Sequence, residues 1–437
     1  MDWTSALFLL AGLLVILLML GLPVAITFFG VNIIGAIVFL NGEIGLVQMT
    51  RNVVTAITNY NLAPIPLFIL MGEILLHSGM AFKAIEAIER IISKVPGRMA
   101  VVSVAAGTVF SALSGSSIAN TAMLGRSLMP IMQQRGYHPT LSMGPIMSAG
   151  AIAMLIPPSA LAVLLGSLAN ISISRLLLAG ITPAAIMLSL FVVYIVVRAK
   201  LRPQDAPADA PVQRTFAERW MPFLIYVVPL SGILIVVVGS LVLGWATPTE
   251  SAGLGVIASF IAAAGYRSLT WAGLKTMLAE TAKTSTMILF IIMASTTFSQ
   301  ILAFSGATRG MVSLVSGAGA DPLTVIFMMM VVLLILGCFV DQVSMVMITV
   351  PLFMPVAHAV GIDPIWLGII YLITMEMGFL TPPFGLLLFV MKGIAPPEIT
   401  MSTVYKAAVP FVIIELFVLL LMVFVPAIGL WLPSLIK

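Results

Sequence analysis

Apolar residues fall into blocks that recur from one end of the chain to the other, and these blocks decide what it can fold into. The first part carries them at 6–20, 24–40, 62–76, 101–113, 118–132, 142–168 and 176–197. The second carries them at 223–243, 251–264, 286–304, 323–339, 343–356, 365–391 and 407–432. About 20 apolar residues wound as a helix cross the hydrocarbon core of a bilayer. Only 8% of the 437 residues are charged and 61% are hydrophobic, against about 25% and 45–50% in a soluble domain. A water-soluble fold is therefore excluded, and the chain reads as an all-α polytopic membrane protein with room for roughly ten spans in lipid. Its net charge of +4 implies no nucleic-acid partner; where the Lys and Arg residues sit matters more. The single cysteine, Cys338, closes no disulfide within the chain and builds no cysteine-rich metal site. The N-terminus has no positive n-region and no small-residue cleavage site, so the first block is expected to be a retained span that starts outside.

One long polar, proline-rich stretch, RAKLRPQDAPADAPVQRTFAERW, runs from Arg198 to Trp220. It divides the chain into halves at 1–197 and 222–437, joined by a linker at 198–221. The halves correspond in register. An offset of 225 carries Pro130 to Pro355, Gly136 to Gly361, Pro139 to Pro364, and Pro157 and Pro158 to Pro382 and Pro383. An offset of 227 carries Ile74, Leu75, Ser78 and Gly79 to Ile301, Leu302, Ser305 and Gly306, and Pro183 to Pro410. A run of matches in constant register points to duplication.

Segments 99–132 and 323–357 are expected to be re-entrant hairpins, and 140–170 and 365–391 to be discontinuous helices. Five spans then separate equivalent points of the halves, and an odd number turns the second repeat upside down. Charge supports the inversion. Assigning connectors to sides puts 16 of the 20 Lys and Arg on one face, leaving Arg51, Arg175, Arg309 and Lys437 on the other. The flanks of the first hairpin, 81–98 and QQRGYHP, are basic, whereas their counterparts carry Arg309, Asp321 and Asp363. Basic residues mark the cytoplasmic side, which makes the linker cytoplasmic and both termini periplasmic. Inverted repeats with broken helices in matching positions point to a secondary transporter with its site near the midplane.

Each half has two breaks. The first is SGSSIANTA at 114–122, whose small polar residues interrupt an apolar run too short on either side to span. Backbone unpaired at that depth lines a cavity or binds something, and the hydroxyls and Asn120 amide supply oxygens suited to an alkali cation or a carboxylate-bearing solute. A small-residue stripe for helix packing is the competing reading. Its counterpart, GCFVDQVSM at 337–345, places Asp341 opposite Ser116, 225 residues earlier. Acids inside a membrane usually mark an ion or proton pathway; an ion pair with a distant Lys or Arg is the alternative. The second break is LIPPSAL, with LTPPFGL as its mate. Paired prolines free the carbonyls of the preceding turn, natural cation ligands beside Ser159, Thr381 and the flexible Gly378 and Gly385. A plain proline kink is the alternative.

Other polar residues are weaker candidates. Glu73, whose repeat mate is Gln300, reads as a buried hydrogen-bonded acid, and Glu376 as part of the second ion site or a solvent-facing residue. His77, His138 and His358 lack ligand spacing, and Met328 to Met330 read as filler. No nucleophile elbow, phosphate loop or zinc motif is present, and scattered His with one Cys make no catalytic cluster, so an enzyme is not expected. Amphipathic stretches at 47–60, 82–95 and 268–284 read as interfacial helices on the lipid surface.

The segments SGSSIANTA, FVDQ with VPLFMPV after it, VGIDPIWLGII, and MEMGFLTPPFG followed by LFVMKGIAPPEI resemble the large membrane (M) subunit of tripartite ATP-independent periplasmic, or TRAP, transporters. The resemblance covers essentially the whole chain, with Thr374 departing from the usual asparagine of N-x-E-x-G. It implies an elevator-type fold, coupling to Na+, a separate small membrane (Q) subunit and a periplasmic solute-binding (P) protein in a bacterial inner membrane. One sodium site is then expected at Gly337, Gly378, Thr381 and Phe384, with Asp341 alongside. Its pseudo-symmetric partner uses Ser116 and Asn120 with carbonyls near Ile156 and Ser159. Substrate, an organic anion such as a C4-dicarboxylate, keto acid or sugar acid, sits between the tips, which makes Ser114, Ser117, Thr121, Pro157 and Pro382 the substrate-facing candidates. No transition metal or organic cofactor is expected. The rivals are a proton-coupled carrier using Asp341 and Glu376, and a stand-alone anion carrier of the same architecture.

Overall fold

A computed structural model describes residues 1–92, 95–207 and 215–435, leaving aside the side chains of residues 81 and 112–114. Every regular element among the described residues is helical. The first half holds α1 (Trp3–Met19), α2 (Val24–Phe39), α3 (Glu43–Ile57), α4 (Pro64–His77), α5 (Met80–Ile91), α6 (Arg98–Ser114), α7 (Ser117–Gln134), α8 (Pro139–Ala151), α9 (Ala160–Leu168) and α10 (Ile173–Leu201). The second holds α11 (Phe216–Val242), α12 (Pro248–Gly265), α13 (Trp271–Phe304), α14 (Ala307–Gly317), α15 (Pro322–Gly337), α16 (Gln342–Ala359), α17 (Pro364–Leu380), α18 (Leu386–Ile394), α19 (Met401–Phe424) and α20 (Pro426–Leu430). Six helices among the described residues are long and apolar enough to cross a membrane.

The repeat is legible in the helix ends. Helix α16 begins and ends 225 residues after α7, and α17 begins 225 after α8. Helix α14 begins 227 after α5, and each starts beside a left-handed glycine, Gly79 or Gly306. Segments α6–α7 and α15–α16 are hairpins, and α8–α9 and α17–α18 are helices broken at prolines. At 1.5 Å per residue, the 13 residues of α8 reach only about 20 Å, well short of a bilayer core of about 30 Å.

One expectation is corrected. Segment 268–284 is no separate interfacial helix; from Trp271 it is the opening of α13, which continues unbroken to Phe304. The equivalent α3 is cut from α4 by a turn at Thr58–Ala63 and by Pro64 and Pro66. The second half has no proline there, so nothing stops the helix.

Helices α4 and α12 lie together, as do their counterparts α13 and α2, and both contacts use a glycine to bring backbones close. A Cβ on Gly35 would stand 2.8 Å from the Ile301 side chain, and one on Gly255 2.7 Å from the Met71 sulfur. Phe28 and Phe298 pack edge to face at 5.4 Å in the first of these contacts. Against this frame stand the hairpins and broken helices, which interlock across the repeats. Gly125 of α7 faces Ile394 and Met391 of α18, while α9 lies on α16.

The base of the first hairpin is held by charge. Glu89 of α5 pairs with Arg98 at 2.6 Å and Arg135 at 3.2 Å. The start of the linker docks beside them, where buried Asp205 pairs with Arg198 at 2.9 Å and its carbonyl accepts from the His138 amide. Residues 208–214 of the linker lie outside the described residues.

Candidate functional site

The two hairpin tips turn by different chemistry. In the first, Gly115 takes the left-handed conformation at φ +60° that ends α6, and Ser116 caps α7 by accepting from the Ala119 amide at 3.3 Å. In the second, Asp341 caps α16, accepting from the amides of Val343 at 3.0 Å and Ser344 at 3.3 Å and from the Ser344 hydroxyl. Aspartate and serine are natural caps because a short side-chain oxygen reaches the first-turn amides. No ion pair with a Lys or Arg involves Asp341 among the described residues.

Each tip abuts a break. Gly115 sits under the Pro158 carbonyl, 3.7 Å from where its Cβ would be. Gly337 meets Gly378 backbone to backbone, and a Cβ on either would come within 2.9 to 3.1 Å of the other's Cα. The Pro157–Pro158 and Pro382–Pro383 bonds are cis. Beyond them Ser159 caps α9 by accepting from the Ala162 amide at 3.2 Å. The Thr381 hydroxyl donates to the Met377 carbonyl at 2.6 Å.

Between the tips and the frame lies a cavity of about 310 Å³. Gly115, Ser116 and Ala119 border it from the first tip, Asp341, Gln342 and Val343 from the second, Pro158 and Ala160 from the break, and Glu73, Thr284 and apolar side chains from α4 and α13. Among the described residues no Lys or Arg lines it. The N-terminal ends of α7, α9 and α16 do, and helix N-termini attract anions through their free amides and positive dipole ends.

The other predicted tip residues face away from this space. Ser117, Asn120 and Thr121 recur at helical spacing on the buried face of α7. Asn120 donates to the carbonyls of Gly107 at 3.2 Å and Ala149 at 3.1 Å and to the Ser111 hydroxyl, clamping α7 to α6 and α8. Thr121 lies against Gly150. The Ser117 hydroxyl donates to Glu376 Oε1 at 2.7 Å, and the Gln342 amide donates to Ser117 at 3.4 Å, so the two repeats meet at one hydroxyl. Asn120 Oδ1, Thr121 Oγ1 and Glu376 Oε2 have no hydrogen-bond partner among the described residues, leaving buried oxygens open to a cation. Pro157 is buried, Pro382 and Ile156 are half-buried, and none of the three borders the cavity. Phe384 turns its ring outward against Phe339 and Phe389. The side chain of Ser114 lies outside the described residues.

Glu376 does not face solvent: it is only 2% exposed, sealed by Ser117 and the helix contacts around it. A second buried acid, Glu415 in α19, escaped the sequence reading. The rule that singled out Asp341, a lone acid in an apolar run, applies equally to Glu415 within IIELFVLL. Among the described residues no three His, Cys, Asp or Glu are placed to hold a transition metal.

The family model described as the DctM component of tripartite ATP-independent periplasmic transporters matches residues 11–428. The C4-dicarboxylate TRAP transporter large permease protein DctM of Pseudomonas aeruginosa is 31% identical over 379 residues, covering 86% of this chain and 87% of that protein. The isethionate TRAP transporter permease protein DctMQ of Oleidesulfovibrio alaskensis is 29% identical over 433 residues, covering 98% of this chain and 66% of that longer one. In fold, the chain is similar to the YdaH transporter of Alcanivorax borkumensis, with a TM-score of 0.65, 15% identity, and 89% and 90% of the two chains covered. Repeated halves, hairpin tips and a whole-length match lead to one conclusion: the chain belongs to the DctM family of TRAP transporter components, as a multi-pass membrane permease subunit and not an enzyme.

Proposed function

We propose that this chain is the transport subunit of a sodium-driven importer that receives an organic anion, such as a C4-dicarboxylate, keto acid or sugar acid, from a periplasmic solute-binding protein. The observation that carries the reading is a cavity bordered by helix N-termini from both repeats and, among the described residues, by no Lys or Arg. An anion held there draws its counter-charge from helix ends and from bound cations. Such a cavity favours a cation-coupled site.

Sodium fits the oxygens at hand. At the second tip, main-chain oxygens of Gly337, Gly378, Thr381 and Phe384 would hold it with Asp341 alongside. At the first, Ser116, the open Asn120 Oδ1 and the carbonyls of Ile156 and Ser159 would serve. Ser117, Thr121, Pro157 and Pro382 then support the tips from behind, with the substrate between them. Polar groups left bare at the breaks are costly in an apolar surrounding, so a loaded hairpin domain slides past the frame more readily than an empty one. Elevator-type movement of α6–α9 with α15–α18 follows, 1–197 and 222–437 acting as the two inverted repeats.

Partners complete the assembly: a small Q subunit, which the name of the DctMQ relative includes in one chain, and the P protein. With the basic hairpin base and linker in the cytoplasm, both termini are periplasmic and the inner membrane is the site of action. Uptake of labelled organic acids into proteoliposomes tests the reading. Accumulation is expected only with the Q subunit, the P protein and an inward sodium gradient together; uptake without sodium or without the P protein overturns the coupling or the partnership. The buried Glu376 and Glu415 favour one second reading, a proton-coupled carrier, which sodium-independent, pH-driven uptake would reveal.

A further inference from the structure

The wall of the cavity opposite the tips carries one carboxylate that nothing else in the fold explains. Glu73 of α4 borders the cavity among Phe68, Ile69 and Leu76. Its side chain keeps 22% of its exposure, and Oε2 lies 3.2 Å from His77 Nδ1 one turn along. Oε1 makes no hydrogen bond among the described residues. Asp341, the other acid in the cavity, is different, because its oxygens are taken up by the first turn of α16. Glu73 is therefore the carboxylate left to read a ligand.

A carboxylate only accepts hydrogen bonds, so what it recognises is a donor. It also repels a second negative group brought against it, which makes it an element of rejection as well as of binding. With His77 already on Oε2, the free oxygen suits a neutral donor. We propose that Glu73 selects hydroxylated carboxylates over plain ones: the carboxylate of the substrate lies toward the helix N-termini of the tips, and a hydroxyl donates to Glu73 on the opposite wall. This assignment rests on the organic-anion reading above. A hydrogen bond to a charged acceptor changes binding by about 10- to 100-fold.

The test separates the cavity from the binding protein by measuring direct ligand binding to the purified permease in lipid nanodiscs with sodium. Succinate, malate and aspartate share one skeleton and differ by hydrogen, hydroxyl and ammonium at a single carbon. Malate is expected to bind about tenfold tighter than succinate. Glu73→Met, which keeps the length and removes the acceptor, is expected to bring that ratio close to one, and Glu73→Gln to fall between. Sodium-dependent succinate binding in each variant establishes that its site is intact. A ratio near one in the wild type, a ratio unchanged in Glu73→Met, or aspartate binding tighter than malate overturns the assignment alone. Binding of none of the acids overturns the C4-dicarboxylate form of the organic-anion reading and this assignment with it.

Discussion

The Ser117 hydroxyl and the Glu376 carboxylate, 259 positions apart in the chain, meet at 2.7 Å where the first hairpin crosses the second broken helix. Both residues are buried, at 1% and 2% exposure, so water offers no substitute for the bond. Ser117→Ala leaves Glu376 Oε1 without its donor at a cost of about 1–3 kcal/mol. The unfolding midpoint of the variant in detergent is expected to fall below that of Ser189→Ala, whose exposed hydroxyl bonds only to its own helix. Equal midpoints would mean that the bond contributes nothing.

The contact of Gly337 with Gly378 yields a second prediction. A methyl on Gly378 points at backbone 3.1 Å away, not at a side chain that can swing aside. Overpacking of this kind costs about 1–3 kcal/mol and pushes the second tip off its break, so Gly378→Ala should lose sodium-driven uptake. Gly239→Ala, with nothing within 4 Å of the new Cβ, should transport normally. Full uptake by the Gly378 variant would remove this contact from the ion site.

Asp341 caps α16, and the proposed ion site gives it a second duty that substitutions can separate from the first. Asp341→Ala removes the cap, worth about 1 kcal/mol, together with the oxygen that the proposed site would offer to sodium. Asp341→Ser keeps a capping oxygen and discards the charge. Sodium-dependent uptake is expected to fail in both, with only the alanine variant destabilised. Ser103→Ala, which removes a buried hydroxyl that donates to the Met99 carbonyl at 2.8 Å and lies 3.7 Å from the Met132 sulfur, should leave sodium-dependent uptake unchanged. Normal sodium-driven uptake in the serine variant would reduce Asp341 to a cap.

How much of this was readable from residues alone depends on the kind of signal. Duplication was visible because proline and glycine positions are set by backbone geometry, and the same residues at 157–158 and 382–383 break helices in both halves. Sides of α7 were not. SGSSIANTA offers five hydroxyl or amide side chains in nine positions, and only the helical phase divides them, turning Ser116 to the cavity and Ser117, Asn120 and Thr121 inward. Glu376 is recognisable as an acid but not as the partner of Ser117, since partners 259 positions apart leave no trace in local pattern. The run-on of α13 was missed because amphipathic sequence marks a surface, whereas a missing proline is what joins two helices into one.

At the membrane edge, α12 opens with a reciprocal capping box: Thr247 accepts from the Glu250 amide, and Glu250 accepts from the Thr247 amide at 2.7 Å. These bonds hold the Glu250 carboxyl below its ordinary value of 4.5. A carboxyl with a lowered folded pKa stabilises the folded helix above its unfolded pKa and loses that contribution as pH falls through the folded one. Hydrogen exchange of the first-turn amides, corrected for intrinsic rate, should therefore speed up in the wild type as pH drops below about 4.5. Glu250→Gln should show no such dependence. A wild-type first turn indifferent to acid would count against the box.

Glu415 poses the opposite case, a polar group whose presence weakens the fold. It is 1% exposed in α19 and neither oxygen has a hydrogen-bond partner among the described residues. The helices beside α19 offer little relief: α8 and α20 carry no ionisable residue, α17 carries a second buried acid, Glu376, and Lys392 of α18 is held by the Ile399 carbonyl at 2.5 Å. On α10, Arg198 is engaged with Asp205. Burying a polar group without a hydrogen-bond partner costs about 1–3 kcal/mol, a cost that an apolar side chain of similar size avoids. Glu415→Leu should accordingly raise the unfolding midpoint of the isolated permease. A lowered midpoint would mean that the carboxyl has a partner, such as an ordered water, in the folded protein. If the variant is more stable and yet transports poorly, the acid is there for the transport cycle, because an unpartnered carboxyl has no other reason to occupy an apolar helix.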